Sequence, residues 1–76
     1  MIKILFFAHL REEIVPFINY DRTQCSVQEV IRYVERLYPQ VSLSSTMIAV
    51  NEQFASSVDI VNTGDVVAFL PPVSGG

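Results

Sequence analysis

The sequence predicts an α+β domain in which a mixed β-sheet packs on one main helix. Three observations lead there. Apolar, β-favouring segments occupy residues 2–8 and 66–70, near the two ends of the chain. A single capped amphipathic helix lies between them, and the segments after it are separated by turn signals. Strands flanking one helix have one economical arrangement, a sheet whose apolar face closes on the helix.

In residues 2–8, Ile2, Ile4, Phe6 and Ala8 share one face and Lys3, Leu5 and Phe7 the other, the two-residue period of a strand. Residues 9–13 form a helical turn that stops before Pro16, whose fixed φ and missing N–H forbid continuation. Residues 17–21 form a second strand, with Phe17, Asn19 and Asp21 opposite Ile18 and Tyr20. Pro16 restricts it to an edge or a strand start. Ser26-Val27-Gln28-Glu29 is a capping box, in which the Ser26 hydroxyl and the Glu29 carboxylate satisfy unpaired N–H groups at a helix start. Val27, Val30, Ile31, Val34 and Leu37 then recur at helical spacing, while Gln28, Glu29, Arg32, Glu35 and Arg36 form the solvated side. The helix ends near Tyr38, because Pro39 disfavours helical geometry in the residue before it. Residues 47–50 read as a third strand, Asn51-Glu52 as a tight turn and residues 53–55 as its short return partner. Asn62-Thr63-Gly64-Asp65 is a second turn, and residues 66–70 are the final strand. The first and last strands are expected to lie side by side in parallel, with the helical segment as the crossover such pairing needs.

Seventy-six residues, half of them hydrophobic, allow one domain near the lower size limit for a self-sufficient core. We divide the chain into a domain over residues 1–72 and an extended, flexible C-terminal tail over residues 73–76. A net charge of −3 argues against nucleic-acid binding, which needs clustered Lys and Arg. Cys25 is the sole cysteine, so neither an internal disulfide nor a cysteine metal cluster forms, and a reducing compartment fits. The apolar opening is far shorter than the ~20 residues that cross a bilayer, and the expected location is the cytoplasm, away from membranes. His9, the sole histidine, is expected to be solvated at a strand end, and Cys25 to fill a small apolar space before the helix cap. Arg32, Glu35 and Arg36 read as a solvated helix face, and Asp65 as a turn stabiliser rather than a partner to Asp59 in acid–base chemistry.

The chain closes on Pro71-Pro72-Val73-Ser74-Gly75-Gly76. Two glycines have no Cβ atoms to obstruct a narrow channel, and residues 73–76 span at most about 13 Å when extended. Pro71 and Pro72 hold the exit extended and lower the entropy lost on binding. The reactive group of such an end is the Gly76 carboxylate. A frayed terminus is the other reading of a bare Gly-Gly. The residues before it bear on the choice. With Val67 and Phe69 turned to the core beside Ile4 and Phe6, alternation places Val66, Ala68 and Leu70 on the opposite face with Leu5 and Phe7. An exposed apolar patch centred on Phe7 and Leu70 is expected there, unless residues 40–46 cover it.

These residues together resemble a known family, the small sulfur-carrying subunit of molybdopterin synthase, a ubiquitin-like β-grasp domain. The resemblance runs from Ile2-Lys3-Ile4-Leu5-Phe6-Phe7-Ala8 through Arg11-Glu12, Ala49-Val50-Asn51 and Gly64-Asp65 to Val67-Ala68-Phe69-Leu70-Pro71-Pro72-Val73-Ser74-Gly75-Gly76. Its closing residues are highly specific. Two positions depart from the family pattern: Val66 stands where a Glu often comes after Gly-Asp, and Ile14-Val15-Pro16 where a Gly-containing turn is usual. The resemblance implies that an E1-like adenylyltransferase uses ATP to adenylate Gly76 and that a persulfide route replaces AMP with sulfur, giving a C-terminal thiocarboxylate. It also implies that the tail, with Gly75 and Gly76 at its tip, enters the active site of the synthase large subunit and donates sulfur to a pyranopterin precursor. Phe7, Leu70, Pro71, Pro72, Val73 and Ser74 are the implied partner contacts, and the implied assembly is a heterotetramer. The chain itself is expected to bind no cofactor and no metal, and to have no catalysis of its own. A thiamine-pathway sulfur carrier, which typically lacks the Pro-Pro-Val-Ser lead-in, and a ubiquitin-like modifier or β-grasp binding module are the alternatives.

Overall fold

The computed structural model describes residues 1–72. Within them, nine elements run in order: β1 (Ile2–Phe6), α1 (Ala8–Glu13), β2 (Phe17–Tyr20), β3 (Gln24–Ser26), α2 (Val27–Leu37), β4 (Met47–Val50), β5 (Gln53–Phe54), β6 (Ile60–Asn62) and β7 (Val66–Leu70). Five strands form one mixed sheet in the order β2-β1-β7-β4-β5, and β3 pairs with β6 in a small second sheet. The first and last strands are parallel neighbours, as expected, with Ile4 opposite Val67 and Phe6 opposite Phe69. The other ladders are antiparallel. β2 lies at the sheet's edge, where Pro16 costs no ladder hydrogen bond.

One face of the large sheet closes on α2. Ile2, Ile4, Phe6, Val67 and Phe69 bury their side chains there together with Val27, Val30 and Val34 of the helix, each no more than 1% exposed. The Phe6 ring lies 5.5 Å from that of Phe69 and meets Tyr38 edge-on at 6.4 Å. Val41 and Leu43, in a stretch with no period of its own, also join this core. Cys25 fills the space beside the start of α2, as its position suggested, and burial pushes its thiol pKa up.

The helix begins as half of a capping box. The Ser26 hydroxyl accepts from the Glu29 N–H at 3.2 Å. The reciprocal half is replaced: the Glu29 carboxylate accepts from Arg22 at 2.8 Å instead of turning back to Ser26. Ser26 is also the last residue of β3, paired with Ile60, so its backbone is already held by the ladder. Two further N–H groups at the helix start are satisfied from outside, Val27 by the Asp59 carbonyl at 2.9 Å and Gln28 by the Ser57 carbonyl at 3.0 Å. The path between Glu13 and Phe17 is set by three contacts. Ile14 caps α1 by donating to the Leu10 carbonyl, Ile14 and Val15 pack on the core, and the Pro16 carbonyl accepts from Phe6 at 2.9 Å.

Candidate functional site

The second face of the large sheet is covered by no element among the described residues, and its register determines what it displays. Leu5 stands opposite both Phe17 on β2 and Ala68 on β7. Ala68 stands opposite Ala49 on β4, which in turn stands opposite Phe54 on β5. Paired residues project to the same side. A single row therefore crosses all five strands: Phe17, Leu5, Ala68, Ala49, Phe54. Above it lie Leu70 and its partner Met47, with Phe7 just past the end of β1. Below it, Val66 is paired with Lys3.

Phe7 and Leu70 are thus both on this outer face, as alternation required. Phe7 is 38% exposed and Leu70 half-buried. The region is a shallow groove of about 580 Å³ lined by Leu5, Phe7, Ala49, Phe54, Ala68 and Leu70 among others. The loop over residues 40–46 does not line it, because Val41 and Leu43 are committed to the core. Phe54 is the most exposed aromatic of the group at 71%, with Met47 and Phe17 each near half. Sequence reasoning missed these three. The Asn51-Glu52 turn carried the signal for Phe54, since a two-residue hairpin sets Phe54 across from Ala49.

That turn is built on left-handed backbone, with φ of 50° at Asn51 and 69° at Glu52. Asn tolerates this region; Glu does so at a cost. The Asn51 side chain ties the turn to β7, its Oδ1 accepting from the Val66 N–H and its Nδ2 donating to Asp65, both at 3.0 Å. Asp65 also accepts from the Asn62 N–H at 2.8 Å, which is the turn-stabilising role expected of it. That bond, and then the one from Asn51, hold the Asp65 carboxyl below its usual range. Glu52 brings a negative charge to the groove's rim, and on the opposite flank the Lys3 ammonium sits 4.6 Å from the centre of the Phe17 ring.

β7 carries the outer face directly to the exit of the domain. After Leu70, Pro71 is buried and Pro72 exposed. The remaining expected site residues, Val73, Ser74, Gly75 and Gly76, lie outside the described residues. His9 is exposed, as are Arg32, Glu35 and Arg36, and Asp59 accepts from the Ser56 N–H at 2.8 Å in a turn of its own. No described helix is long and apolar enough to cross a membrane.

A five-stranded mixed sheet closed on one main helix, with a parallel central pair and a bare apolar outer face, defines a ubiquitin-like β-grasp domain. Residues 4–76 match the ThiS family, and the chain belongs to it. The molybdopterin synthase sulfur carrier subunit of Dictyostelium discoideum is 38% identical, with 97% of this chain and 94% of that protein covered. SAMP1 from Haloferax volcanii shares the fold with a TM-score of 0.78 at 20% identity, covering 99% of this chain and 98% of that one. A chain in the complex of subunits 1 and 2 of molybdopterin-converting factor from Helicobacter pylori superposes with a TM-score of 0.65 at 23% identity, covering 99% of this chain and 97% of that one.

Proposed function

We propose that this chain is the sulfur-carrier subunit of a molybdopterin synthase. The observation that carries the reading is the 38% identity to a sulfur carrier subunit of that name, sustained over 97% of the chain. The geometry supports it: the outer face and the route to the Gly-Gly end share one strand, so a partner that covers Leu70 and Ala68 is placed to receive the chain beyond Pro72. The Helicobacter complex of subunits 1 and 2 supports a large subunit as that partner.

In this reading the Gly76 carboxylate attacks the α-phosphate of ATP on an E1-like activating enzyme, releasing pyrophosphate and leaving an acyl adenylate. The terminal sulfur of a cysteine persulfide then displaces AMP, a thiol reduces the resulting acyl disulfide to release the thiocarboxylate, and this donates its sulfur to the pterin precursor within the large subunit while water restores the Gly76 carboxylate. This chain's contribution is positional. Gly75 and Gly76 present the acyl carbon without side-chain obstruction, Pro71 and Pro72 limit the directions in which the end leaves the domain, and Phe7 with Leu70 contributes to the docking energy.

Intact mass of the protein purified from its own host tests the reading. The expected result is a population heavier by the difference between sulfur and oxygen, lost when Gly76 is deleted. Molybdopterin formation that continues with the deleted chain as sole carrier refutes it.

A further inference from the structure

The outer face has a register that a second copy can meet across a two-fold axis. In the row Phe17, Leu5, Ala68, Ala49, Phe54, the centre is small and the two ends are aromatic. A half-turn about an axis along β7 sets Leu5 of one copy over Ala49 of the other, a large side chain against a small one, and brings Phe54 to Phe17. The charges obey the same symmetry. Lys3 is paired with Val66 on the β1 side of β7, and Asn51, immediately before Glu52, donates its N–H to the Val66 carbonyl at 2.8 Å from the β4 side. Lys3 and Glu52 therefore flank Val66 at the same end of the sheet but on opposite sides. The half-turn places each opposite the other's counterpart, making two rim ion pairs.

We propose that the free chain forms a two-fold homodimer through this face, and that the dimer holds the docking surface closed until a partner displaces the second copy. The inference rests on the outer face being the docking surface of the proposed sulfur carrier, but it does not depend on the chemistry of the end. The strands β2, β1, β7, β4 and β5, with four, five, five, four and two residues, give a contact of roughly 300 Å² in projection at about 4.8 Å between strands and about 3.3 Å rise per residue. That is below the ~800 Å² per partner of a stable complex. The dimer is accordingly in the weak, transient class and gives way to a larger interface.

Sedimentation equilibrium of the full chain up to about 1 mM, at low ionic strength, is the test. Lys3→Glu and Glu52→Lys each replace two attractive rim contacts by two repulsive ones, and each is expected to weaken dimerisation about tenfold. The double variant restores it to within about twofold, because the pairs re-form with their signs exchanged. Each reversal shifts the net charge of −3 by two units, in opposite directions. General repulsion therefore predicts opposite effects, and only specific pairing weakens both. Phe54→Asp, at an exposed position, is expected to leave a monomer with unchanged circular dichroism. A wild-type chain that stays monomeric throughout, or a dimer that the two reversals leave unchanged or that the double variant does not restore, overturns the proposal. Thiocarboxylate formation is read separately by mass, so either proposal can fail alone.

Discussion

Asn51 offers a sharp test of how the site is held, because its backbone and its side chain contribute separately. Its φ of 50° is a left-handed conformation, and its amide makes two hydrogen bonds to the β6–β7 turn and the start of β7, one of them to the Asp65 carboxylate. Asn51→Gly keeps the backbone freedom and removes both bonds. Exposed hydrogen bonds contribute toward the low end of ~0.5–1.5 kcal/mol each, and the unfolded chain gains entropy from glycine, so the expected cost is about 1.5 kcal/mol. Asn51→Ala removes the same bonds without the glycine entropy term, but it loses the local polar contacts that let Asn tolerate positive φ, ~1 kcal/mol, for about 2 kcal/mol. With an m-value near 1 kcal/mol/M for a domain this small, the urea midpoints fall by about 1.5 M and 2 M. Such losses are a large fraction of ~5 kcal/mol of total stability. Equilibrium urea denaturation followed by far-ultraviolet circular dichroism measures both. A glycine variant as stable as the wild type refutes the role given to the amide, and an alanine variant no worse than the glycine variant refutes the role given to φ.

The same geometry predicts three further outcomes. Asp65 has its folded pKa lowered, so its bonds stabilise the protein above the unfolded carboxylate pKa of about 4, and that contribution is lost as pH falls through the lower folded value. Urea midpoints measured from pH 6 downward are expected to show an acid-side decline that is shallower in Asp65→Asn. Phe69→Ala opens a cavity beside Phe6 and is expected to cost about 3–5 kcal/mol, enough to unfold much of the population at 25 °C. Phe54→Ala, on the bare face, is expected to change stability by no more than about 0.5 kcal/mol in the same urea assay.

Legibility in the sequence tracked the length and regularity of each element. β1 and β7 were readable because five apolar, β-favouring residues each stand out as strands, and the two-residue period of a strand then assigned Phe7 and Leu70 to the outer face. α2 was readable because a cap, three turns of period and a closing Pro agree. β3 and β6 were not, since three residues are too few to show a period and Ser26 serves the strand and the cap together. The Glu29–Arg22 ion pair depended on where the chain runs before the helix, which a local capping rule does not contain. Phe17, Met47 and Phe54 joined the site through cross-strand register. Membership of that kind is fixed only once five strands are ordered, and the order β2-β1-β7-β4-β5 is far from the order in sequence.

The same register links the core, the outer face and the exit. β7 lies at the centre of the sheet, with β1 bonded on one side and β4 on the other, and its residues alternate between Val67 and Phe69 inward and Val66, Ala68 and Leu70 outward. A slip of one residue would expose Phe69 and bury the outer row, so the core holds the face in place. The point where the chain leaves the domain is fixed equally, because Leu70 is paired with Met47 and Pro71 is buried behind it. Substitutions at Phe54 or Phe17, at the ends of the row, can therefore alter the outer face without moving the exit. Substitutions at Phe69 disturb both. The outer face and the exit are separable at the edges of this sheet and inseparable at its centre.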